Sequence, residues 1–470
     1  RYQILDLANG VSGFAASDVQ GRPLTWQKVD KSTWRIRRSD AGPVTVRYEI
    51  YGNELGLRTR HIDDSHAYLD ASAVFMYADS SRADDVSVSL KVSPGWKSYS
   101  GLQSAGAHRF TGASWDILVD SPIETGINRA FEFKEGGRDY EVVFWGDGNY
   151  DAAQTVSDLK KIVAQVSSIW SSYPFQRYVF MIHATDGASG ATEHRNSTVI
   201  QIPRYSFQPR DKYLRFLSTA AHEFVHTWNV KAYRGAGMVP YGYQQENYTD
   251  LLWLAEGSTE YFADQLLVRA GLMKPDEYFA VLADAIDHHR RTPGASLQSV
   301  AAASFDEWIS VGGDRATNAW ANIYAEGSLV SWLLDLELLK ESGGKLSYRN
   351  VHEALYRRYR AEEGRGFTAG DVRAILAEMT GHDWDAWWAR NVDAPAPADF
   401  DRLLAPVGLR VSYGEGGKVP TKPWAGWKAE QAEGGMRLTA VERGSPAWNA
   451  GFVPDDIVMA FDGKRVTRAR

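Results

Sequence analysis

The chain has 470 residues, more than one hydrophobic core usually supports, so two or three domains are expected. Its net charge of −7 argues against a protein that binds duplex nucleic acid through phosphate contacts, and no apolar run approaches the ~20 residues that span a bilayer. Cysteine is absent, so disulfides and thiolate metal sites are excluded, and any metal must bind to His, Asp or Glu.

The first 152 residues predict an all-β domain. Alternating β-branched and aromatic residues, separated by Gly, Asp and Ser clusters, indicate strands. These predicted strands cover residues 34–38, 44–51, 67–77, 86–92 and 140–145. The sequence begins at Arg1 without an initiator Met, so we expect an upstream segment, and a periplasmic or secreted location is favoured on this indirect ground alone.

Residues 153–395 predict a second domain, which is mostly helical. Apolar residues fall at helical spacing from Thr155 onward, and strand-like segments follow at 178–183 and 197–202. Further helices are predicted at residues 211–230, 249–270, 276–289, 321–340, 348–359 and 369–379. The Pro/Ala-rich stretch 393–398 then predicts a short stiff connector to a Gly-rich, strand-like unit, which we place at 396–470.

The sharpest chemical signal is the run His222-Glu223-Phe224-Val225-His226. On a helix, positions i and i+4 share a face, so both imidazoles can bind one metal while the adjacent Glu is turned toward a water on that metal. Zinc suits such ligands. Such a spacing can also arise by chance in a chain of this composition, so the motif needs support from a third ligand.

A second helix rich in carboxylates offers that ligand. A catalytic zinc has three protein ligands and an open position for water, and Glu256 is the candidate third ligand. Glu260, four residues on, shares its helical face and can accept a hydrogen bond from the far nitrogen of a ligating His. The alternative for Glu260 is an ordinary solvated helix charge.

Three runs together resemble a known family. His222-Glu223-x-x-His226-Thr-Trp-Asn, then Glu246-Asn-Tyr-Thr, then Leu-Trp-x-x-Glu256-Gly, are similar to the glycyl aminopeptidase family. This family is a branch of the zinc peptidases whose third ligand is Glu, as in thermolysin and aminopeptidase N. The run Trp115-Asp-x-Leu-Val-Asp-Ser-Pro resembles the family's β-domain signature.

The resemblance implies two further site residues. The segment from Gly190 to Glu193 stands where aminopeptidase N relatives carry a strand whose Glu binds the free amine of the substrate; the alternative for Glu193 is a surface loop acid. Tyr324 matches a Tyr whose hydroxyl donates to the developing oxyanion, and its alternative is a core tyrosine.

The C-terminal segment from Leu438 to Lys464 resembles the middle of a PDZ domain, a peptide-binding module. The sequence stops at Arg470, before the second helix and last strand of such a domain, so we expect its peptide groove to be incomplete. The expected fold is therefore multidomain α+β: a β-domain, a thermolysin-like, mostly helical zinc catalytic domain, and a partial PDZ domain.

The function implied is that of a zinc aminopeptidase with one Zn²⁺ per chain. Glu223 would act as the base and Tyr324 as the oxyanion donor, on peptide substrates with a free N-terminus and, by the resemblance, a small first residue such as Gly or Ala. Two rivals stay open: a zinc endopeptidase of the same clan, and an inactive peptide-binding scaffold. The physiological substrate and the oligomeric state cannot be predicted from the sequence.

Overall fold

The computed structural model describes residues 4–309, 313–396, 400–412 and 424–466, which form a mixed α+β protein. Two compact units are present: one holds residues 4–167 and 172–232, and the other holds 168–171 and the chain from 233 onward. Among the helices of the described ranges, none combines the length and the apolar character needed to cross a membrane.

The first unit is rich in strands. They are β1 (Val11–Ser17), β2 (Trp26–Lys28), β3 (Trp34–Ile36), β4 (Thr45–Ile50), β5 (Arg60–Ile62), β6 (His66–Leu69), β7 (Val86–Ser89), β8 (Lys97–Ser100), β9 (Gln103–Ser104), β10 (Arg109–Gly112), β11 (Ile123–Gly126), β12 (Arg129–Glu135), β13 (Arg138–Trp145), β14 (Arg177–Ala184), β15 (Gly190–Glu193) and β16 (Ser197–Ile202). Its helices are α1 (Ala71–Val74), α2 (Trp115–Val119), α3 (Ala152–Gln165) and α4 (Arg210–Val225).

A five-stranded sheet organises this unit, in the order β12-β13-β14-β16-β15. The three central strands are parallel, and the two edge strands run antiparallel to their neighbours. A second sheet has the order β5-β6-β11-β8, with antiparallel pairing throughout. This sheet contains strands from before and after residue 152, where the sequence predicts the boundary between the β-domain and the helical domain. That boundary therefore stays a prediction from the sequence.

Strand β14 is buried on both faces, as expected for the centre of a parallel sheet. Tyr178 and Phe180 point to one face, where their rings lie 4.9 and 5.9 Å from the ring of Phe224 in α4. Val179 and Met181 point to the other face and pack with Tyr68 of β6. The sheet therefore separates α4 from the sheet that contains β6.

Most strand and helix predictions in this unit are confirmed, but the strand predicted over residues 67–77 is wrong beyond Leu69. There β6 ends, and α1 begins after Asp70, whose side chain accepts a hydrogen bond from the backbone N–H of Ser72 at 2.9 Å. A capping Asp stabilises a helical turn locally, and this outweighs the β-type pattern of the residues that follow.

The second unit is mostly helical. One π-helical turn, Trp253–Gly257, leads into α5 (Ser258–Arg269), which is followed by α6 (Pro275–Arg291), α7 (Val300–Asp306), α8 (Gly313–Asn318), α9 (Ala325–Ser342), α10 (Tyr348–Arg358), α11 (Ala369–Thr380), α12 (Asp385–Asn391) and α13 (Phe400–Leu404). The helices predicted from residues 249, 276, 321, 348 and 369 are thus confirmed with shifted ends. The predicted connector at 393–398 lies partly outside the described residues.

The C-terminal part of this unit forms small antiparallel sheets. Its elements are β17 (Trp427–Ala432), β18 (Gly435–Val441), α14 (Pro446–Asn449), β19 (Ile457–Val458), β20 (Ala460–Phe461) and β21 (Lys464–Arg465). Asn318 of α8 donates to the carbonyl of Val441 and accepts from the backbone of Arg443, both at 2.7 Å, so β18 is bonded to the helical part of its unit. The PDZ assignment over 396–470 remains a proposal, and residues 413–423 and 467–470 lie outside the described ranges.

Two glycines let the π-helical turn approach α9. A Cβ on Gly257 would lie 2.3 Å from the carbonyl carbon of Gly327, and a Cβ on Gly327 would lie 2.7 Å from the carbonyl oxygen of Trp253. Both distances are below van der Waals contact, so neither position accepts a side chain without backbone movement. The close approach fixes Glu256, which precedes Gly257, relative to the start of α9.

We expect Gly257→Ala to lower the stability of the protein by about 1–3 kcal/mol or more, because the added methyl group overpacks two backbones. Gly370 is a matched control, since it is exposed in α11 and a Cβ there meets only Thr368 Oγ1 at 3.5 Å. Gly370→Ala should be neutral or stabilising by up to ~1 kcal/mol. Urea unfolding of both variants checks this; equal midpoints would contradict the packing argument.

Candidate active site

Helix α4 carries the first part of the site. It spans Arg210–Val225, so the predicted helix is confirmed in its position but ends earlier than residue 230. Leu217, Ala221 and Phe224 bury its apolar side, as the spacing predicts. His222, Glu223 and His226 are also buried, with 7, 6 and 1% of their surface exposed. Burial of ionisable groups costs free energy unless they are paired or bind a metal, so the burial of these three residues indicates a metal site or a hydrogen-bonded network.

The two histidines face each other. The Nε2 atoms of His222 and His226 lie 3.0 Å apart. His226 donates from Nδ1 to the carbonyl oxygen of Asn229 at 2.8 Å, which leaves its Nε2 with a lone pair when the ring is neutral. This is the tautomer that a metal-binding histidine needs.

The backbone after the helix supplies that carbonyl. Val230 has φ 107°, a left-handed value that is rare for a β-branched residue and costs energy. The chain thus takes this left-handed conformation directly after Asn229, whose carbonyl receives the His226 proton. Asn229 lies within the helix predicted over residues 211–230, but in the structure it follows α4, and its main-chain oxygen is the atom that contacts His226.

The residues present fit a zinc ion. Two nitrogens bound to one tetrahedral zinc at 2.0–2.1 Å lie about 3.3 Å apart. The observed 3.0 Å between the two Nε2 atoms is within a few tenths of an ångström of this spacing. The imidazole and carboxylate donors also match what zinc prefers in a chain without cysteine.

Glu223 lies on the same helix, next to an aromatic cluster. Burial raises the pKa of Tyr178 well above its ordinary value, and the nearby charge of Glu223 acts in the same direction. The Tyr178 phenol is therefore neutral and cannot compete with Glu223 as a base. Only 6% of the Glu223 surface is exposed, so its charge is weakly screened there.

Glu193 belongs to an edge strand. β15 pairs with β16 through Glu193 and Thr198, and no other strand of the described sheet lies on its far side. Helix α4 packs against both strands. The strand expected from the family resemblance is thus present, and its outer edge has the geometry by which proteins bind extended peptides.

Glu193 is buried, with 8% of its surface exposed, and has a charged neighbourhood that sequence reasoning missed. Lys231 Nζ lies 2.9 Å from Asp120 Oδ1 and 3.8 Å from Glu193 Oε1. His194 Nδ1 also contacts Asp120 Oδ1, at 3.1 Å. The sequence did contain one indication of this neighbourhood, because Asp120 lies in the run Trp115-Asp-x-Leu-Val-Asp-Ser-Pro that resembles the β-domain signature of the family.

Glu256 lies in the second unit, in the π-helical turn, and is buried. π-helical turns are rare and are frequent at functional sites. Burial, with the neighbouring Glu256 charge, raises the pKa of Glu307 to about 7. Sequence analysis gave no signal for Glu307. A cation on Glu256 would oppose this shift, because it cancels the charge that Glu307 meets.

Tyr324 directly precedes α9, also in the second unit, and is half-buried. The side chain of Asn322 accepts from the backbone N–H of Tyr324 at 2.8 Å and of Ala325 at 3.2 Å, which fixes the start of the helix. Glu326 is buried and pairs with His289 Nδ1 at 2.6 Å. Glu260 lies in the first turn of α5 and is half-buried.

Comparison with known proteins bears on this geometry. Residues 1–127 match the model described as the peptidase M61 N-terminal domain, and residues 215–330 match that described as M61 glycyl aminopeptidase. A comparison with curated proteins finds no match.

Two solved structures are similar. An aminopeptidase N family protein from Idiomarina loihiensis is 27% identical with a TM-score of 0.90, over 99% of this chain and 83% of that chain. A variant of an M1 zinc metallopeptidase from Deinococcus radiodurans is 13% identical with a TM-score of 0.50, over 82% of this chain and 85% of that one, which shows likeness of fold alone. The two M61 models together cover about half of the chain, α4 included, and on this ground the chain belongs to the M61 glycyl aminopeptidase family.

Proposed function

We propose that this protein is a zinc aminopeptidase that removes N-terminal residues from peptides. The observation that carries the proposal is the buried pair His222 and His226, with nitrogens 3.0 Å apart at the C-terminal end of α4 and Glu223 between them in sequence. Family membership supports it, because the matched model is described as a glycyl aminopeptidase. A preference for small first residues such as Gly or Ala rests on that description alone.

The proposed ligands of one zinc are His222, His226 and Glu256. When bound, zinc polarises a peptide carbonyl and lowers the pKa of a water molecule. Since the Nδ1 proton of His226 goes to the Asn229 carbonyl, Glu260 is proposed to accept the corresponding proton of His222. Both hydrogen bonds would fix the tautomers in which Nε2 binds the metal.

Glu223 is proposed to take a proton from the attacking water and to deliver it to the leaving amine. Its low exposure keeps its charge poorly screened, which favours proton abstraction. Tyr324 is proposed to donate its hydroxyl proton to the carbonyl oxygen as that oxygen gains charge. The fixed start of α9 supports this role, since a rigid donor loses little on reaction.

Glu193 is proposed to bind the N-terminal ammonium of the substrate, which limits cleavage to one residue. Two features support it: the edge position of β15, and the burial of the Glu193 carboxylate, which lies 3.8 Å from Lys231 while Asp120 lies nearer to that lysine. A substrate ammonium would form a charge-assisted hydrogen bond with this carboxylate. The C-terminal strands are proposed to be a partial PDZ domain without an assigned role in catalysis.

Mutation should separate the loss of bound zinc from the loss of the catalytic base. Replacing His222, His226 or Glu256 with Ala should remove the zinc, because each variant loses one of three ligands. Glu223→Gln should keep zinc and lower kcat by several orders of magnitude, since only the base is removed. Metal analysis measures the zinc content, and hydrolysis of Gly-p-nitroanilide measures the activity.

Full zinc occupancy in a Glu256→Gln protein would overturn the role of Glu256 as a ligand. Full activity of a Glu223→Gln protein would overturn the role of Glu223 as the base. A zinc-loaded wild-type protein that cleaves no peptide would favour the alternative of an inactive peptide-binding scaffold.

Tyr324→Phe should lower kcat by ~10²–10³ with little change in KM, because the hydroxyl meets charge only in the transition state. The exposed Tyr205 provides the control, and Tyr205→Phe should leave both constants unchanged. Steady-state kinetics and thermal unfolding distinguish the roles. A normal kcat with lowered stability would show a core tyrosine.

Glu193→Ala should reduce kcat/KM for free-amine substrates by ~10²-fold or more, since about 3 kcal/mol is lost when one side of a buried charged pair is deleted. Zinc should remain bound. The control is Asp186→Asn, which removes an exposed acid paired with Arg204 in the same unit. Wild-type protein that cuts acetylated and free peptides equally well would favour the endopeptidase rival.

A further inference from the structure

A second group of metal-ligating side chains lies in the first unit, on the face of the five-stranded sheet away from α4. It contains His61, Asp63 and His66, whose ligand atoms lie within 4.8 Å of one another. We propose that these three residues bind a second divalent cation, in the first instance Zn²⁺, at a site separate from His222 and His226. Nothing in the proposed peptidase mechanism uses these residues.

The orientation of His66 supports metal binding. Its Nδ1 donates to Glu124 Oε1 at 3.0 Å, so its Nε2 carries the lone pair in the neutral ring. That Nε2 lies 2.9 Å from Nδ1 of His61. The spacing is close to the 3.0 Å of the His222 and His226 pair, so two separate histidine pairs in this chain have the separation that chelation requires.

Glu124 is a fully buried carboxylate that holds His66 in place. It accepts hydrogen bonds from three N–H groups: those of His66, His183 Nε2 at 3.1 Å and Asn128 Nδ2 at 3.2 Å. Three donors stabilise the ionised form of the carboxylate. A buried carboxylate behind a histidine that presents its other nitrogen is the arrangement found behind zinc ligands, where it fixes the tautomer and raises ligand basicity.

Trp145 and the turn at Asp63 complete the support. The Trp145 ring stacks on His66, with centroids 3.5 Å apart and planes at 7°, and its Nε1 donates to Ser65 Oγ at 2.9 Å. Asp63 Oδ1 accepts from the backbone N–H groups of Ser65 and His66 at 2.7 and 2.9 Å. These bonds hold the carboxylate beside the histidine pair, with Oδ2 as the remaining ligand atom.

The donor set selects the class of cation. Two imidazoles and one carboxylate suit Zn²⁺ and similar first-row divalent ions, whereas Ca²⁺ and Mg²⁺ prefer oxygen ligands. Asp63 is exposed and His61 is half-buried, so a cation can enter from solvent and keep a water ligand. Its charge would also be balanced by the Asp63 and Glu124 carboxylates.

The ligand atoms of a deeper group, His66, Glu124 and His183, also lie within 4.8 Å of one another, but this group suits a cation less well. All three side chains are buried, and the hydrogen bonds at 3.0 and 3.1 Å already occupy both carboxylate oxygens. Gln201 Nε2 lies 3.4 Å from His183 Nδ1, consistent with a proton on His183 Nε2. A metal there would have to displace two charge-assisted hydrogen bonds.

The test measures zinc in the full-length chain with the first histidine pair removed. His222→Ala/His226→Ala protein, dialysed against Zn²⁺ and then against buffer, should retain about one zinc per chain if the second site exists. Adding His61→Ala should remove that zinc. The matched control is the exposed His288, whose replacement by Ala should leave the zinc content unchanged.

A milder variant protects against a folding artefact. Asp63→Asn keeps an oxygen for the turn but loses the anionic ligand, so the dissociation constant for Zn²⁺ should rise by at least tenfold while the melting temperature in chelator stays that of the parent. Zinc retained after His61→Ala but lost after His183→Gln would move the cation to the deeper group and overturn the assignment. If the His222→Ala/His226→Ala protein binds no zinc, then His61, Asp63 and His66 form a hydrogen-bond network only.

Discussion

The burial of one polar helix face constrains the first unit. Helix α4 must pack Phe224 against Tyr178 and Phe180, yet the same turn carries His222, Glu223 and His226 into a region with little solvent. Desolvation of such groups costs several kcal/mol each unless they are satisfied. His226 is satisfied by a hydrogen bond to the carbonyl oxygen of Asn229. The helix ends at Val225, and the chain is left-handed at Val230, directly after this carbonyl.

Buried charged side chains near β15 are also paired. Asp120 and Lys231 form a buried pair, and Glu193 lies close enough to Lys231 to share its charge without neutralising the group. The proposed ammonium site needs a carboxylate that does not form its closest contact with an internal cation. Asp120 lies closer to Lys231, at 2.9 Å, and Glu193 lies farther from it, at 3.8 Å, which is compatible with that proposal.

Two histidine pairs occupy opposite faces of the five-stranded sheet. His183 follows Val179 and Met181 on one face of β14, with Glu124 and His66 beyond it. Phe224 and α4 cover the other face. The middle of β14, from Tyr178 to Ile182, is apolar and buried and lies between these polar groups, so each pair has its own hydrogen-bond partners. This separation lets the metal content of one pair be tested without disturbing the other.

The sequence by itself determined the elements with strong local periodicity and the local motif on α4. Strand β16 was predicted with its observed bounds, and the spacing of His222 and His226 predicted a shared face because helix geometry alone sets it. Glu256, Glu193 and Tyr324 needed a family resemblance or a search for a missing ligand, since no local rule pairs them with α4. The α1 cap at Asp70 was missed because one side-chain hydrogen bond outweighed the strand pattern.

Only the tertiary structure decided which distant residues meet. Lys231 and Asp120 are far apart in sequence, as are His66, Glu124 and His183. His66 and Glu124 meet because β6 pairs with β11, whereas Lys231 and Asp120 lie outside the strands and meet through the packing of the unit. Helix α4 likewise ends at Val225, ahead of the left-handed backbone at Val230, although the helical pattern of the sequence continues to residue 230. Periodicity reports which face of an element is buried, but the partner across the sheet depends on register and sheet order, and these are fixed by long-range packing.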